Sequence, residues 1–334
     1  MKLKRNRPLA RIFHRGGAPG THRNRGLTLV ELLVAMLLGL IVVLAASSAL
    51  LFARQGFSTV DAASQLRDNA RFAKDMIQRL AVQAGYRRET GYTPDPNAPP
   101  GVRGFDNALP NFSSMESANE RKSGGNGSDV LILRNDTYPL FPQSPDADGS
   151  MIDCSGKAPS KDDANKAITS VLYVADSDGV TSLMCARSNN GEQPFNDRQP
   201  LIKGVENFQV LYGVDGVTPN SATLGAADSV PERYLRADQL TVKGNEAATK
   251  ANWRRVRSLR IGMVLRAHQG SAQTPNDETI YPFGPAGTSS STKGNFFASA
   301  SDVGTIVPAP KDTRLRQVVN FTVHLRNYQD IDSP

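Results

Sequence analysis

Glu31 is the residue that most invites a chemical interpretation, because it is the only acid within a long apolar run. A carboxylate in hydrocarbon costs about 2–3 kcal/mol on insertion scales, so an acid in such a segment is by default a functional residue with a partner. The alternative is that Glu31 extends to the headgroups at the nearer, cytoplasmic membrane face and needs no partner. The sequence therefore directs attention first to the run that contains Glu31.

The other residues that could do chemistry match no catalytic or metal-binding pattern. There is no Gly-x-Ser-x-Gly elbow, Walker A loop, His-Glu-x-x-His motif or Cys/His pair. Two Asp-x-Asp-Gly segments, 146–149 and 176–179, contain fragments of a calcium loop but lack its later carboxylates, so turns are the better interpretation. His268 and His324 stand alone on or beside predicted strands and are expected to face solvent. We therefore predict no metal, no cofactor, no small-molecule substrate and no enzymatic activity.

The composition excludes several classes of protein. The chain has 334 residues, of which 39% are hydrophobic and 21% charged, with 28 Gly and 21 Pro, so a core can form but many residues must lie in loops. A coiled-coil rod, a collagen-like chain and a polytopic transporter are excluded, because only one long apolar run exists. Residues 1–26 hold eight of the 39 Lys and Arg residues and no acid, which leaves the rest of the chain at a net charge of −1. Nucleic-acid binding by the body of the protein is therefore disfavoured.

The apolar run is long enough to cross a membrane. Residues 32–53 carry no charge, and a helix of 22 residues extends about 33 Å at 1.5 Å per residue. The positive charges before the run place the N-terminus in the cytoplasm and the rest of the chain outside the inner membrane. A cleaved secretory signal peptide with its small-residue site at 45–49 is the alternative. It is disfavoured because the run continues through 50–52 and because Glu31 stands inside it.

The residues at the start of the run resemble a known processing signal. Gly26 follows a basic leader and precedes Leu27-Thr28-Leu29-Val30-Glu31, which is similar to the class III signal of type IV pilins and pseudopilins. The resemblance implies that a prepilin peptidase cuts between Gly26 and Leu27, that Leu27 becomes the N-methylated amino terminus, and that Glu31 acts in assembly. Leu27 stands where the family usually has Phe. Residues 1–26 would then be a leader that is removed.

The physics of the bilayer agrees with an assembly role for Glu31. Because the predicted cut lies on the cytoplasmic side, the mature protein keeps its hydrophobic segment and stays in the membrane as a single-span protein. The Glu31 carboxylate of one subunit can then pair with the free amine of Leu27 in a neighbour, which neutralises two charges that are each costly in hydrocarbon. Small residues would let neighbouring helices approach closely: Ala35, Gly39, Ala45, Ala46, Ser47, Ser48 and Ala49.

An amphipathic half extends the predicted helix beyond the membrane. Apolar residues recur on one side at helical spacing, with charged and amide side chains between them: Leu66, Ala73, Ile77, Leu80 and Ala84. We predict one helix of about 55 residues that ends near Gly85, with a transmembrane half at 27–53 and an amphipathic half at 54–85. Two helices broken at Gly56 are the alternative.

Residues 86–334 are predicted to form a periplasmic, β-rich head. Residues 91–128 have the composition of a loop, and a short apolar strand is predicted at 129–133. Segments 168–174 and 180–185 flank Asp178-Gly179 and predict a hairpin. Three further segments alternate with a period of two and predict strands with one buried and one solvent-exposed face: 208–214, 259–266 and 319–326.

The order of these elements predicts an α+β fold, in which one long N-terminal hydrophobic helix packs against an antiparallel sheet. Two long polar segments, 216–251 and 269–314, are expected to be loop insertions rather than a second domain. Several arginines indicate either a basic face that touches DNA or, as the favoured interpretation, a charged outer strand face that pairs with acids or protects an edge. They are Arg254, Arg255, Arg257, Arg260 and Arg266, with Arg314, Arg316 and Arg326 near the last strand.

Cys154 and Cys185 are the only cysteines, and both belong to the part predicted to be periplasmic. An oxidising compartment favours a disulfide over two free thiols, and a redox-active pair would need a short spacing such as Cys-x-x-Cys. We therefore predict a structural disulfide. Closing a loop of about 30 residues would contribute about 3–4 kcal/mol in the chain-entropy model.

Three segments of the head extend the resemblance to the PilW family of minor pilins: 205–215, 256–265 and 315–327. The resemblance implies a pilin-like fold and a subunit that primes type IV pilus assembly with other minor pilins and the major pilin. It further implies a place at or near the pilus tip with a tip adhesin, and a role in twitching motility and adhesion. A prepilin peptidase and N-methyltransferase, the inner membrane and finally the cell surface are the implied partners and locations. The alternatives are a J-like pseudopilin of type II secretion and a membrane-anchored periplasmic domain unrelated to pili.

Overall fold

The computed structural model describes most of the chain after the predicted leader. Two compact units are distinguished, residues 1–54 and residues 55–334. The predicted leader before Gly26 and part of the 269–314 insertion lie outside the described residues. The described ranges are 26–87, 98–121, 125–159, 167–188, 195, 197–223, 225–275, 277–284 and 302–327.

Helix α1 is one element of 55 residues, Leu29–Gln83, and it continues without a break through Gly56. The prediction of a single helix ending near Gly85 is confirmed, and the alternative of two helices is wrong. The helix ends where Gly85 takes a φ of 81°, a conformation that an L-residue rarely adopts. The last carbonyls are capped from far along the chain: Asn327 Nδ2 donates to the carbonyl oxygens of Val82, Gln83 and Ala84 at 3.0, 3.3 and 3.2 Å.

The two halves of α1 differ in burial as their sequences predict. Within the unit that ends at Arg54, the side chains of α1 are exposed. Within the second unit, one side of the helix is buried at the spacing that the sequence shows, and each residue of the predicted stripe is at most 4% exposed: Leu66, Ala73, Ile77, Leu80 and Ala84. The buried stripe therefore fixes which face of the helix meets the head.

Thirteen strands and one further α-helix lie in the described part of the head. Helix α2 is Glu246–Arg254, and Asn245 caps it by accepting from the Ala248 N–H. The first seven strands are β1 (Val102–Phe105), β2 (Ala108–Pro110), β3 (Ala118–Glu120), β4 (Val130–Asp136), β5 (Ala167–Ser177), β6 (Val180–Ser188) and β7 (Asp197–Lys203). The others are β8 (Val205–Val214), β9 (Arg233–Leu235), β10 (Val256–Arg266), β11 (Thr279–Ile280), β12 (Val307–Pro308) and β13 (Arg316–His324).

The long strands form two antiparallel sheets. One sheet has the order β1-β4-β5-β6-β7 and the other has the order β13-β10-β8-β9, while β2-β3 and β11-β12 are small pairs. The predicted hairpin is confirmed as β5-β6, with Ser177 opposite Val180. Asp178 and Gly179 both take positive φ, 53° and 76°, as a two-residue type I′ turn requires. The α+β class is confirmed, but the helix packs against two sheets where the sequence predicted one.

Apolar side chains form one large core and one smaller core. The large core joins the buried stripe of α1 to residues from both sheets, including Leu131 of β4, Leu172 of β5, Phe208 of β8 and Ile261 of β10. The smaller core lies on the other face of the five-stranded sheet and includes Val130, Ile132, Val171, Tyr173 and Phe195. Because α1 contributes to the large core, the position of the helix in the head is set by packing against both sheets.

Two predictions about the head are wrong. The segment 91–128 was expected to be a loop, but its described part contains β1, β2 and β3. Strands β8 and β10 were expected to have a solvent-exposed face, but both are buried on almost every residue. Other segments cover their polar side: Gln209 Nε2 donates to the Gly127 carbonyl at 2.9 Å, and a Cβ on Gly262 would lie 2.9 Å from the Phe283 ring. The expectation for β13 is confirmed, because its buried and exposed residues alternate over 321–324.

Candidate assembly site at the helix N-terminus

Thr28 and Glu31 close the first turn of α1. The Thr28 N–H and hydroxyl each donate to Glu31 Oε2 at 3.1 Å, and the Glu31 N–H donates to Thr28 Oγ1 at 3.2 Å. This reciprocal pair is a capping box, which satisfies N–H groups that the first helical turn leaves open. The role of Thr28 was not predicted, although the sequence carries the signal, a Thr three residues before a Glu at the start of an apolar run.

The capping box holds the Glu31 carboxylate against Thr28, one residue after Leu27, which the predicted cut would make the amino terminus. Leu27 directly precedes Thr28 and is 76% exposed. The hydrogen bonds that the Glu31 carboxylate accepts from described residues engage Oε2 and leave Oε1 open. A carboxylate can accept about four hydrogen bonds, so one that already caps its own helix can also accept from an amine of another chain.

Gly26 lies before the helix in open surroundings. A Cβ built on Gly26 would meet no described atom within 4 Å, and its backbone does not take a positive φ. Nothing in the described fold therefore demands a glycine at this position. If glycine is required there, the requirement comes from a molecule that acts on the chain.

Helix α1 is the one described helix whose length and composition would allow it to cross a membrane. Its most apolar window has a mean hydropathy of 2.8, and its large side chains from Leu29 to Phe52 are between 49% and 77% exposed. Apolar surface of this extent is stable only where lipid or other helices cover it. These features support anchoring in a membrane.

The arginine-rich stretch is engaged mainly within the head. Arg257 Nη2 lies 3.2 Å from Asp215 Oδ2, and both side chains are 2% exposed. Glu206 holds two arginines, Arg266 at 3.0 Å and Arg316 at 2.7 Å. The favoured interpretation, pairing with acids, therefore describes these residues, although Arg257 lies in the interior and not on an outer face. Burial and pairing leave them little positive charge to offer to a nucleic acid.

Two carboxylates that no sequence pattern predicted, Asp106 and Asp129, tie the turn between β1 and β2 to other segments. They do so by accepting backbone N–H groups, and the side chain of Asp129 is almost fully buried. No local pattern marks such residues, because their partners are distant in sequence. Asp106 accepts from the N–H groups of Ala237 (3.1 Å) and Asp238 (2.7 Å). Asp129 accepts from those of Asn107 (3.0 Å) and Val210 (2.9 Å).

Burial changes the acidity of this group of carboxyls. Desolvation, followed by the hydrogen bond to Asp238, raises the pKa of Asp106 to about 7. Desolvation raises the pKa of Asp302 to about 6, although Arg236 opposes the shift. The pKa of Asp129 lies well above its ordinary value, because the group is buried and the charge of Asp106 is near. At pH values between the ordinary and the raised pKa, these carboxyls therefore keep a proton in the folded head that they would release in an unfolded chain.

Cys154 and Cys185 form a disulfide in the structure, with their Cα atoms 5.8 Å apart and both residues fully buried. The bridge fastens the segment around Cys154 to strand β6. Asp153 reinforces this attachment, because Arg187 Nη1 lies 2.8 Å from its Oδ2. The same segment also meets the end of α1, where the Ile152 N–H donates to Gln83 Oε1 at 2.7 Å.

The remaining polar candidates have ordinary structural explanations. His268 lies 3.4 Å from Ser58 Oγ, and His324 is exposed on β13. Among the described residues, carboxylate oxygens of Asp215, Asp228 and Glu232 lie within 4.8 Å of one another. Asp215 already faces Arg257, and Glu232 accepts the Gly216 N–H at 2.7 Å. Internal contacts thus account for this acidic group without a metal ion.

Comparisons with known proteins agree with the sequence patterns. Residues 21–47 match the family described as the prokaryotic N-terminal methylation motif. Residues 171–327, which run from β5 to the end of the described chain, match the family described as Type IV Pilus-assembly protein W. No curated protein sequence matches the chain.

Among solved structures, the chain is similar to a type IV-like pilin from Thermus thermophilus. The sequence identity is 15%, the TM-score is 0.37, and the likeness covers 78% of this chain and 96% of the other. The two family matches include Glu31 with its capping residue Thr28, and seven of the nine strands in the two large sheets, from β5 onward. The two family matches support a type IV pilus minor pilin of the PilW family.

Proposed function

We propose that this chain primes type IV pilus assembly and takes its place in a complex at the pilus tip, where it supports twitching motility and adhesion. The observation that carries the proposal is the geometry of Glu31, whose carboxylate caps its own helix through Oε2 and keeps Oε1 open at the start of an exposed apolar helix. A second subunit whose amine meets Oε1 would join its helix to this one at a defined register.

Processing precedes assembly in this proposal. A prepilin peptidase removes residues 1–26, and Leu27 becomes the methylated amino terminus. Residues 27–53 then anchor the chain in the inner membrane as a single span, with the N-terminus in the cytoplasm and the head, residues 86–334, in the periplasm. The openness of the backbone around Gly26 supports this order of events, because nothing described obstructs the bond to be cut.

The partners in this proposal are other minor pilins, the major pilin and a tip adhesin. The head acts by binding, and we propose that it has no catalytic activity. The pairing of Glu206, Asp215 and Asp153 with arginines supports this, because these buried carboxylates serve the fold rather than a substrate.

Deletion of the gene tests the proposal. We expect loss of surface pili with normal export of secreted proteins, and restoration of pili by the full chain. Retained pili with lost secretion would instead indicate a type II secretion pseudopilin, and retention of both would indicate a membrane-anchored protein outside either system. Surface pili are counted after mechanical shearing, and secreted proteins are measured in the culture medium.

Two substitutions separate the assembly role of Glu31 from its capping role. Glu31→Gln keeps a side chain that serves a capping box but removes the charge, whereas Glu31→Ala removes both. If pairing with an amine is the role, both variants enter the membrane normally and both lose most of the co-purifying pilus subunits. Normal recruitment by Glu31→Gln with loss in Glu31→Ala would show that only the cap matters.

A further inference from the structure

Strand β13 forms one outer edge of the four-stranded sheet. It pairs with β10 along nine residues, from Arg316 opposite Arg266 to His324 opposite Ser258. On its other side, no described strand pairs with it. An outer strand presents a row of backbone N–H and C=O groups, and such a row can accept another strand.

Hydrogen bonds at the two ends of β13 show which residues face the open side. The Leu325 N–H donates to the Arg257 carbonyl at 2.8 Å, and the Ala267 N–H donates to the Leu315 carbonyl at 2.9 Å. In an antiparallel pair the direction alternates along the strand, so odd-numbered residues bond to β10. The backbone groups of Val318, Asn320 and Thr322 therefore point outward, and the described residues make no hydrogen bond to them.

The other outer strands of the two sheets are short or protected. Strands β1 and β9 have four and three residues. Strand β7 carries charges, contains Pro200 and pairs with β6 through a register shift. These are the devices by which proteins block strand addition. In contrast, residues 317–323 of β13 contain no charged residue, no Gly and no Pro.

Two features beside β13 indicate the chemistry of a matching strand. A cleft of about 280 Å³ adjoins the first half of the strand and is lined by Ile280, Tyr281, Leu315 and Val318, among others. At the far end, Arg326 is exposed and makes no ion pair with a described residue. The backbone of an outer strand can pair with almost any extended segment. The cleft, which holds one side chain, and the positive charge of Arg326 would restrict this pairing to segments with a matching side chain and charge.

We propose that β13 is a docking edge that accepts an extended strand from another pilus subunit. The added strand is uncharged over its middle, places an apolar side chain in the cleft at Tyr281 and carries an acidic residue that meets Arg326. The proposal rests on the proposed function for the identity of the partner. Backbone hydrogen bonds supply the affinity, while the cleft and the cation supply the selection.

Amide hydrogen exchange tests this edge with residue resolution. The full-length chain in detergent is compared with the same chain in its purified complex with pilus subunits. We expect the Val318, Asn320 and Thr322 amides to exchange at least tenfold more slowly in the complex, while the amides of 319, 321 and 323 are protected in both samples. Unchanged exchange at the even positions, or equal slowing at every position, would overturn the proposal.

A matched pair of variants tests the consequence in cells. Thr322→Pro removes an outward N–H and leaves every bond to β10 in place, whereas Thr322→Val keeps the N–H and favours a strand. We expect Thr322→Pro to co-purify with at least tenfold less of the other pilus subunits than the unsubstituted chain, and Thr322→Val to co-purify with the normal amount. Both variants should have the thermal unfolding midpoint of the unsubstituted chain. Equal recruitment by the two variants would overturn the proposal even if deletion of the gene removes pili, so the two failures are distinguishable.

A cysteine at Asn320 identifies the occupant. A thiol-reactive photocrosslinker attached to Asn320→Cys is activated in the assembled complex, and crosslinks to a peptide of another pilus subunit support the proposal. A crosslink mainly to a second copy of this chain would overturn it, because the edge would then serve that copy.

Discussion

The stability of the head should fall as pH rises from 5 to 8. Folding raises the pKa of Asp106 to about 7 and that of Asp302 to about 6, from ordinary values near 4. A carboxyl with a raised pKa binds its proton more tightly in the folded chain than in the unfolded chain. Its stabilising effect is therefore complete below the ordinary value and is lost as pH rises through the folded value.

The size of the effect follows from the shift. One pKa unit corresponds to about 1.4 kcal/mol, so the whole shift of Asp106 is worth about 4 kcal/mol in the free energy of unfolding, of which about 3 kcal/mol is lost between pH 5 and pH 8. Asp238 shares a hydrogen bond with Asp106 and has a lowered pKa, so the contributions of these groups do not add. We expect a total loss of about 2–4 kcal/mol between pH 5 and pH 8.

The single tryptophan provides the assay. Trp253 is buried and stacks edge-on against Tyr212 with ring centres 4.8 Å apart, so its fluorescence reports on the head. Urea unfolding of the full chain in detergent is followed at pH values from 5 to 8. Asp302→Asn should remove the part of the pH dependence near pH 6, whereas Asp178→Asn, at an exposed turn, should leave the slope unchanged. Stability that is constant or increases over this range would refute the reasoning.

Three further predictions concern processing, the disulfide and the interior. Gly26→Leu should block cleavage without unfolding the head, because the position has open space; intact mass would show the leader retained, and a normal mature mass would exclude the predicted cut. Replacing Cys154 and Cys185 with Ser should lower the free energy of unfolding by about 3–4 kcal/mol. The same urea midpoint for the disulfide-bonded protein and the doubly substituted variant would contradict this. Arg257→Met should cost about 3–5 kcal/mol in the same assay, because it leaves Asp215 buried without its charged partner, and a loss below about 1 kcal/mol would show that the remaining contacts of Asp215 suffice.

Local pattern was sufficient for the elements whose signals lie close together in sequence. The stripe from Leu66 to Ala84 predicted both the helix and its buried face, because residues three and four apart share one side of a helix. Asp178-Gly179 predicted the β5-β6 hairpin, because only a few residue types accept positive φ at two successive positions. The capping box of Thr28 and Glu31 was equally visible but was not used.

The errors concern what covers a strand. Alternation in β8 and β10 tells which side chains share a face, but it does not tell whether water or another segment lies on the polar face. Here Gly127 and Phe283 approach from segments far away in sequence and bury Gln209 and Gly262. The same reason explains Arg257, whose charge predicted an outer position and whose partner Asp215 allows an interior one.

The sequence by itself determined the long apolar segment, the N-terminal methylation motif, the position of Glu31 within it and the length of the helix, because each depends on neighbours within about one helical turn or on the length of one run. Only the tertiary structure decided that the head contains two large sheets, that the half-buried Asp106 and the buried Asp129 have raised pKa values, and that no described strand pairs with the outer side of β13. These features depend on contacts between residues tens to hundreds of positions apart, such as Asp106 with Asp238 and Asn327 with the end of α1. Such contacts arise from tertiary packing, and no local pattern in the sequence predicts them.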